Sequence, residues 1–143
     1  YEIVRLFLEA GFSASQRDTR GTPVLSIAVR NTQYAITELL LTYGAEINLY
    51  SQDRFYSALM EAAQIGDLKT AELLVSKNAD TNIQSKDGQT ALIFAVGRQD
   101  LPMVRLLIDH KADWNISDHL GMSALGYAKL FHNKDILAIM QQP

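Results

Sequence analysis

Apolar residues recur along this chain on two scales. Within short segments, Val104, Leu107 and Ile108 fall at helical spacing, as do Ile36, Leu39, Leu40 and Tyr43. Between segments, IVRLFLEAGFSAS, AITELLLTYGAEIN, TAELLVSKNADTN and MVRLLIDHKADWN align with one another. Leu6-Phe7, Leu39-Leu40, Leu73-Leu74 and Leu106-Leu107 then stand at spacings of 33, 34 and 33. A second set, VLSIAV, ALMEAA, ALIFAV and ALGYAK, places Ala28, Ala62, Ala95 and Ala128 at spacings of 34, 33 and 33. Two independent markers with one period predict a single supersecondary unit used repeatedly.

Each unit divides into a short helical stretch such as TALIFAVGR, a longer one such as LPMVRLLIDHK, and a polar connection such as NIQSKDGQT. Thr90 and Ser123 are placed to cap the first helix, because a side-chain oxygen there accepts an otherwise unpaired N–H. Pro102 suits the start of a second helix, where its missing N–H has no intrahelical partner. Gly11, Gly44 and Asn78 end the second helix by tolerating a left-handed backbone. Asp18, Asp87 and Asp118 are expected to open the connecting turns by accepting nearby N–H groups. In the first full unit Thr22-Pro23 comes one residue earlier than Thr90-Ala91 would place it, so a shifted helix start is expected there.

Residues 87–115, DGQTALIFAVGRQDLPMVRLLIDHKADWN, carry Asp-Gly, Thr-Ala-Leu, Ala, Leu-Leu and Ala-Asp-x-Asn in order, and the pattern runs through the chain. This resembles the ankyrin repeat family. The resemblance implies an all-α solenoid of stacked helix-turn-helix units with β-hairpin fingers, stabilised by nearest-neighbour interfaces. The expected organisation is one domain, 1–143, with a partial unit at 1–17, units at 18–52, 53–86 and 87–117, and a C-terminal capping unit at 118–143. The His of the family's Thr-Pro-Leu-His is replaced by Ser26, Met60, Ile93 and Gly126, so its local hydrogen-bond network is expected to be missing. Residues 1–11 read as a second helix without a first, which predicts poor cover for Ile3, Leu6 and Phe7 and further chain before Tyr1. Lys134, Asp135, Gln141 and Gln142 give the final helix a more polar outer face, as in a cap.

Composition narrows the chemistry. The chain has 143 residues, is 48% hydrophobic and 20% charged, and contains no cysteine. That balance is globular, without a disulfide framework or thiolate metal site, and it suits a reducing compartment, so the cytoplasm is the expected location. No apolar run is long enough to span a bilayer. A net charge of −3 speaks against a nucleic-acid partner. His110, His119 and His132 share no metal-ligand spacing, no phosphate-cradling Gly-rich loop is present, and no nucleophile motif appears. Neither catalytic residues nor a cofactor or metal is expected. Trp114 stands where other units have Ala14, Ile47 and Thr81, and both packing at the finger base and a contact role suit it.

By resemblance, partners bind the concave side built from finger tips and the exposed ends of first helices. Carried onto this chain, the contact residues are Arg20, Arg30 and Asn31, then Tyr50, Asp53, Arg54, Tyr56, Gln64 and Ile65. Lys86, Gln89 and Arg98 follow, and then His119, Met122, Leu130 and Phe131. With Arg17 and Asp87 added, the face holds six basic and two acidic side chains, a net of +4 on a chain of −3. Such separation predicts a partner protein with an acidic surface. The aromatic and aliphatic members suit the centre of a protein interface. For Leu130 and Phe131, packing within the cap is an equal reading.

The stretch LYSQDRFYSAL, 49–59, makes one finger unlike the rest. Asn48 to Ser57 takes nine steps where Asn82 to Thr90 and Asn115 to Ser123 take eight, and Phe55 replaces Gly21, Gly88 and Gly121. A bulky residue is disfavoured at positive φ, so a changed turn type is expected, with Phe55 either folded back or exposed and with Tyr50 and Tyr56 in contact. The expected function is a non-enzymatic, monomeric protein-interaction module. The alternative is a targeting or regulatory domain of a larger enzyme or secreted effector.

Overall fold

The computed structural model describes residues 1–141, so Gln142, expected on the polar cap face, lies outside the described residues. Among the described residues the helices, in chain order, are α1 (Glu2–Glu9), α2 (Val24–Arg30), α3 (Tyr34–Thr42), α4 (Ala58–Ile65) and α5 (Leu68–Ser76). They continue with α6 (Ala91–Gly97), α7 (Leu101–Asp109), α8 (Ala124–Leu130) and α9 (Lys134–Met140). α2, α4, α6 and α8 lie side by side as a row of first helices, and α3, α5, α7 and α9 back them as second helices. The fold is an all-α solenoid. The fingers contain no strand among the described residues, only single antiparallel bridges at Arg17–Pro23, Tyr50–Ser57 and Ser117–Ser123.

The period is a packing requirement. Ala62, Ala63, Ala71, Leu74, Leu92, Ala95, Val96, Val104, Leu107, Ala128 and Ile136 are fully buried and form one continuous core through the row. Alanine on the facing sides of first helices lets them approach closely, and leucine from the second helices fills the space behind them. At the N-terminal end α1 leaves Ile3, Leu6 and Phe7 exposed by 71%, 58% and 55%, as expected. Beside them an apolar cleft of about 460 Å³, lined by Val4, Phe7, Leu8, Val24, Ile27 and Leu40, lies on the side of α2 that in α4, α6 and α8 is covered by a preceding first helix.

Local signals set the helix ends. Ser57, Thr90 and Ser123 cap α4, α6 and α8 by accepting the amides of Met60, Ile93 and Gly126. Pro102 sits in the first turn of α7. The shifted start expected for α2 does not occur. Val24, Ala58, Ala91 and Ala124 begin their helices at spacings of 34, 33 and 33, and Pro23 occupies the cap position without a capping side chain. Stacking against α4 holds α2 in register where the cap is missing.

Each unit also needs a left-handed residue at three places. Gly11, Gly44, Asn78 and Lys111 end the second helices; Thr32, Gly66, Gln99 and His132 join the two helices; Gly21, Phe55, Gly88 and Gly121 turn the fingers. His132 is thereby a turn residue. The turn itself is changed as expected, but Phe55 takes φ +59°, as the glycines do, contrary to the expectation that a bulky residue avoids positive φ there. The extra residue is absorbed before it, where the Phe55 amide donates to Ser51 O, four residues back, whereas Gly21, Gly88 and Gly121 donate three residues back.

Asp87 also departs from expectation. In the third finger Ser85 stands where Asp18 and Asp118 stand, its hydroxyl accepting the Gln89 amide at 3.1 Å, while Asp87 lies at the tip. The Ala-Asp-x-Asn motif has a plain mechanical meaning. Asn48 Oδ1 accepts the Asp80 amide and Asn82 Oδ1 accepts the Asp113 amide, each at 2.8 Å, so each asparagine hands its side chain to the next unit. Ser15 does the same for Glu46 at 2.8 Å.

The row makes a direct stability prediction. Leu74→Ala, at a fully buried interface residue, is expected to cost about 2–5 kcal/mol, and Thr90→Ala about 1 kcal/mol from the lost cap, both read by urea unfolding. A cost for Leu74→Ala no larger than that for Thr90→Ala would contradict stacking as the main source of stability.

Candidate interaction face

The fingers and first helices together line one side of the row, and the fingers are tied sideways. The Lys86 amide donates to Arg54 O and the His119 amide to Asp87 O, both at 2.9 Å. Arg17 spans two fingers, donating to Gly21 O at 2.6 Å and Tyr50 O at 2.8 Å. Gln84, in the third finger, repeats the device with Gly88 O at 3.0 Å and Ser117 O at 3.2 Å. The finger row is therefore a positioned surface.

Of the expected contact residues, Arg20, Arg30, Asn31, Tyr50, Asp53, Arg54, Gln64, Ile65, Lys86, Arg98, His119, Leu130 and Phe131 are exposed, and Gln89 and Met122 are half-buried. Tyr56 is a correction. It is only 8% exposed, packed against Phe94 with ring centroids 5.3 Å apart and covered by the Arg54 guanidinium 4.4 Å from its centroid. Tyr56 stands in the same place as Thr22, Gln89 and Met122, which are also buried or half-buried, whereas Tyr50 and Phe55 lie outside, 45% and 39% exposed, with centroids 5.2 Å apart. Trp114 is half-buried against the core. Leu130 and Phe131 do not bury themselves in the cap, being 61% and 40% exposed.

Sequence reasoning missed Glu61. It is 2% exposed on α4, yet it accepts from Arg30 at 2.6 Å and lies 3.7 Å from Arg54. The hydrogen bond to Glu61 holds the Arg30 guanidinium above its already high ordinary pKa, against the effect of burial. Two of the six basic side chains counted on this face thus neutralise a buried carboxylate and tie α2, α4 and a finger together. Arg20, Lys86 and Arg98 lie within ion-pair distance of no carboxylate among the described residues. The available signal was the column Ile27, Glu61, Phe94 and Tyr127, spaced 34, 33 and 33, where a lone acid stands among apolar residues.

In the last finger Asp118 is buried and accepts the amides of Leu120 at 2.9 Å and Met122 at 3.0 Å and the Tyr127 hydroxyl at 2.5 Å. Burial alone would raise its carboxyl pKa, but these donors outweigh burial and the net shift is downward. Asp18, accepting the amides of Thr22 and Arg20, is also lowered. At the place of the family's histidine, Ser26 is buried with its hydroxyl unpartnered, so that local network is missing.

A family model for ankyrin repeats, in three copies, matches residues 59–142. The chain belongs to the ankyrin repeat family. An ankyrin repeat-containing protein of Treponema pallidum (strain Nichols) is 52% identical over 139 residues, which are 97% of this chain and 47% of that protein. Protein HOS4 of Saccharomyces cerevisiae is 42% identical over 60 residues, 42% of the chain and 6% of that protein. The ankyrin repeat and KH domain-containing protein mask-1 of Caenorhabditis elegans is 28% identical over 87 residues, 61% of the chain and 3% of that protein. The chain spans about half the length of the Treponema relative. Ankyrin repeats generally mediate protein–protein interaction, and no catalytic family is indicated. Among the described residues no helix is long and apolar enough to cross a membrane.

Two outcomes test this ankyrin face. Arg30→Ala is expected to cost about 1–3 kcal/mol, because it removes the close partner of a buried carboxylate, whereas Arg30→Met with Glu61→Met recovers most of that loss. Equal stability of Arg30→Ala and the parent by urea unfolding would show that the pair contributes nothing. For pH the sign follows from the lowered carboxyls. Their contribution is complete above the ordinary value of about 3.9 and is lost as pH falls through the folded values. The amide NMR signals of Thr22 and Met122 are expected to titrate below about pH 3.9; midpoints at or above that value would contradict the hydrogen-bond geometry.

Proposed function

We propose that the concave face, made of the finger tips and the exposed ends of α2, α4, α6 and α8, binds a partner protein without catalysing a reaction. The observation that carries this reading is the distribution of exposed apolar residues beyond the uncovered N-terminal end, where Tyr1, Ile3, Leu6, Phe7 and Phe12 are exposed. Past that end Tyr50, Phe55, Ile65, Leu120, Leu130 and Phe131, exposed by 37% to 84%, lie on fingers or first-helix ends, and Tyr43, at the end of α3, is the exception. The backs of α3, α5 and α7 instead expose Glu38, Glu72 and Arg105. Apolar centres with a polar rim suit a protein interface. Arg20, Lys86 and Arg98 support an acidic partner; Arg30 and Arg54 do not, because Glu61 already occupies them.

A second reading has its own observation. The chain covers 47% of the Treponema relative, which supports the reading of a targeting or regulatory domain of a larger enzyme or secreted effector. The isolated domain is monomeric in both readings. A chain without cysteine suits the reducing cytoplasm.

Affinity capture from the native source tests the face. Tyr50→Ala with Phe55→Gly and Leu120→Ser is expected to lose the captured partners while keeping stability within about 1 kcal/mol, since Phe55→Gly relieves a strained backbone as it removes a ring. A control altered at Glu38, Glu72 and Arg105 is expected to keep them. Loss by the control and retention by the face variant would overturn the assignment.

A further inference from the structure

Between α4, α6 and α8 the concave face dips into a slot of about 290 Å³, lined by Gln64, Gln89, Phe94, Arg98, Tyr127 and Phe131. Its walls are fixed. Tyr127 and Phe131 stack with centroids 6.1 Å apart and rings inclined by 26°, and the Tyr127 hydroxyl is held by Asp118. Phe94 is braced from the other side by the buried Tyr56. Arg98 is fixed across the end of α4, with Nη1 donating to Gln64 O at 3.2 Å and its guanidinium lying so close over Gly66 that an added Cβ would sit 2.5 Å from Nη2.

Its polar groups are unspent. Arg98 has no carboxylate partner, and neither the Gln64 nor the Gln89 side-chain amide makes a hydrogen bond among the described residues. The neighbouring column differs sharply, because there Glu61 consumes Arg30 and approaches Arg54. A cation held in place over an apolar slot, with free amides on both sides, is complementary to an apolar group beside an anion.

Resting on the concave-face reading, we propose that this slot takes one aromatic or large aliphatic side chain of an extended acidic peptide segment. Its volume lies at the lower limit of ligand pockets, about 300 Å³, which suits a single side chain and not a cofactor. The apolar side chain lies among Phe94, Tyr127 and Phe131, and a neighbouring Asp or Glu carboxylate meets the Arg98 guanidinium. The Gln64 and Gln89 amides, each both donor and acceptor, pair with the peptide main chain. Bidentate geometry and the loss of water on closing make the carboxylate contact selective for charge.

The test uses fluorescent Gly/Ser peptides, blocked at both ends, that carry one Phe or Leu and one Glu at varied separation. The matched controls carry Gln for Glu, or Ala for the apolar residue, and binding is read by anisotropy. The expected result is that at one separation the Glu peptide binds about tenfold or more tightly than its Gln partner. Arg98→Ala abolishes that difference, while Phe131→Ala weakens both peptides and leaves the difference in place. Equal binding of Glu and Gln peptides, no binding of any peptide, or an Arg98→Ala variant that keeps the preference would each overturn the proposal. In that event the finger variants at Tyr50, Phe55 and Leu120 still decide the broader reading separately, because none of them lines the slot.

Discussion

Everything in this molecule depends on the sideways fit of one first helix against the next. Residues such as Ala62, Ala95 and Ala128 have no exposed surface and no long side chain. They allow a helix separation that larger residues would forbid. The leucines behind them, Leu74 and Leu107, are equally buried. A unit standing alone would leave both sets in water, so the unit exists only as part of a row. The 33-residue period is thus a consequence of packing, and the asparagine hand-off through Asn48 and Asn82 adds a polar check on the same register.

Because stacking fixes the helices, local defects do not propagate. Pro23 supplies no cap and Phe55 takes a backbone conformation that glycine prefers, yet both stand in register with their counterparts. The cost at Phe55 is absorbed locally, in the longer second finger. Glu61 is the one buried acid within the first-helix row, and its ties to Arg30 and Arg54 join two helices and a finger. The same ties divide the concave face electrically. Arg30 and Arg54 are internally satisfied, while Arg20, Lys86 and Arg98 remain available to a ligand.

The row was legible in the sequence because it rests on spacing, and spacing survives substitution. Helix caps at Thr90 and Ser123, left-handed ends at Gly44 and Asn78, and the extra residue in the second finger were all readable from residue type and position. The direction of individual side chains was less legible. Tyr56 and Tyr50 are both aromatic and lie in one finger, and which of them turns inward follows the place each takes in the finger. Tyr56 stands with the buried or half-buried Thr22, Gln89 and Met122, and Tyr50 with Arg17, Gln84 and Ser117. Charge counting also failed at Glu61, since a linear tally cannot tell that two arginines converge on one carboxylate from different units. The slot beside Arg98 is assembled from α4, α6 and α8, and no single segment announces it.

On the proposed reading, recognition belongs to the fingers and first-helix ends, and the second helices have only a structural role. Hydrogen exchange of the domain with and without a captured partner reads that division along the whole chain. Added protection is expected at 50–56, 84–89 and 117–122 and at the C-terminal ends of α4, α6 and α8, with the turns at 43–46, 77–80 and 110–113 unchanged. Protection confined to those latter turns and to α3, α5 and α7 would contradict that division.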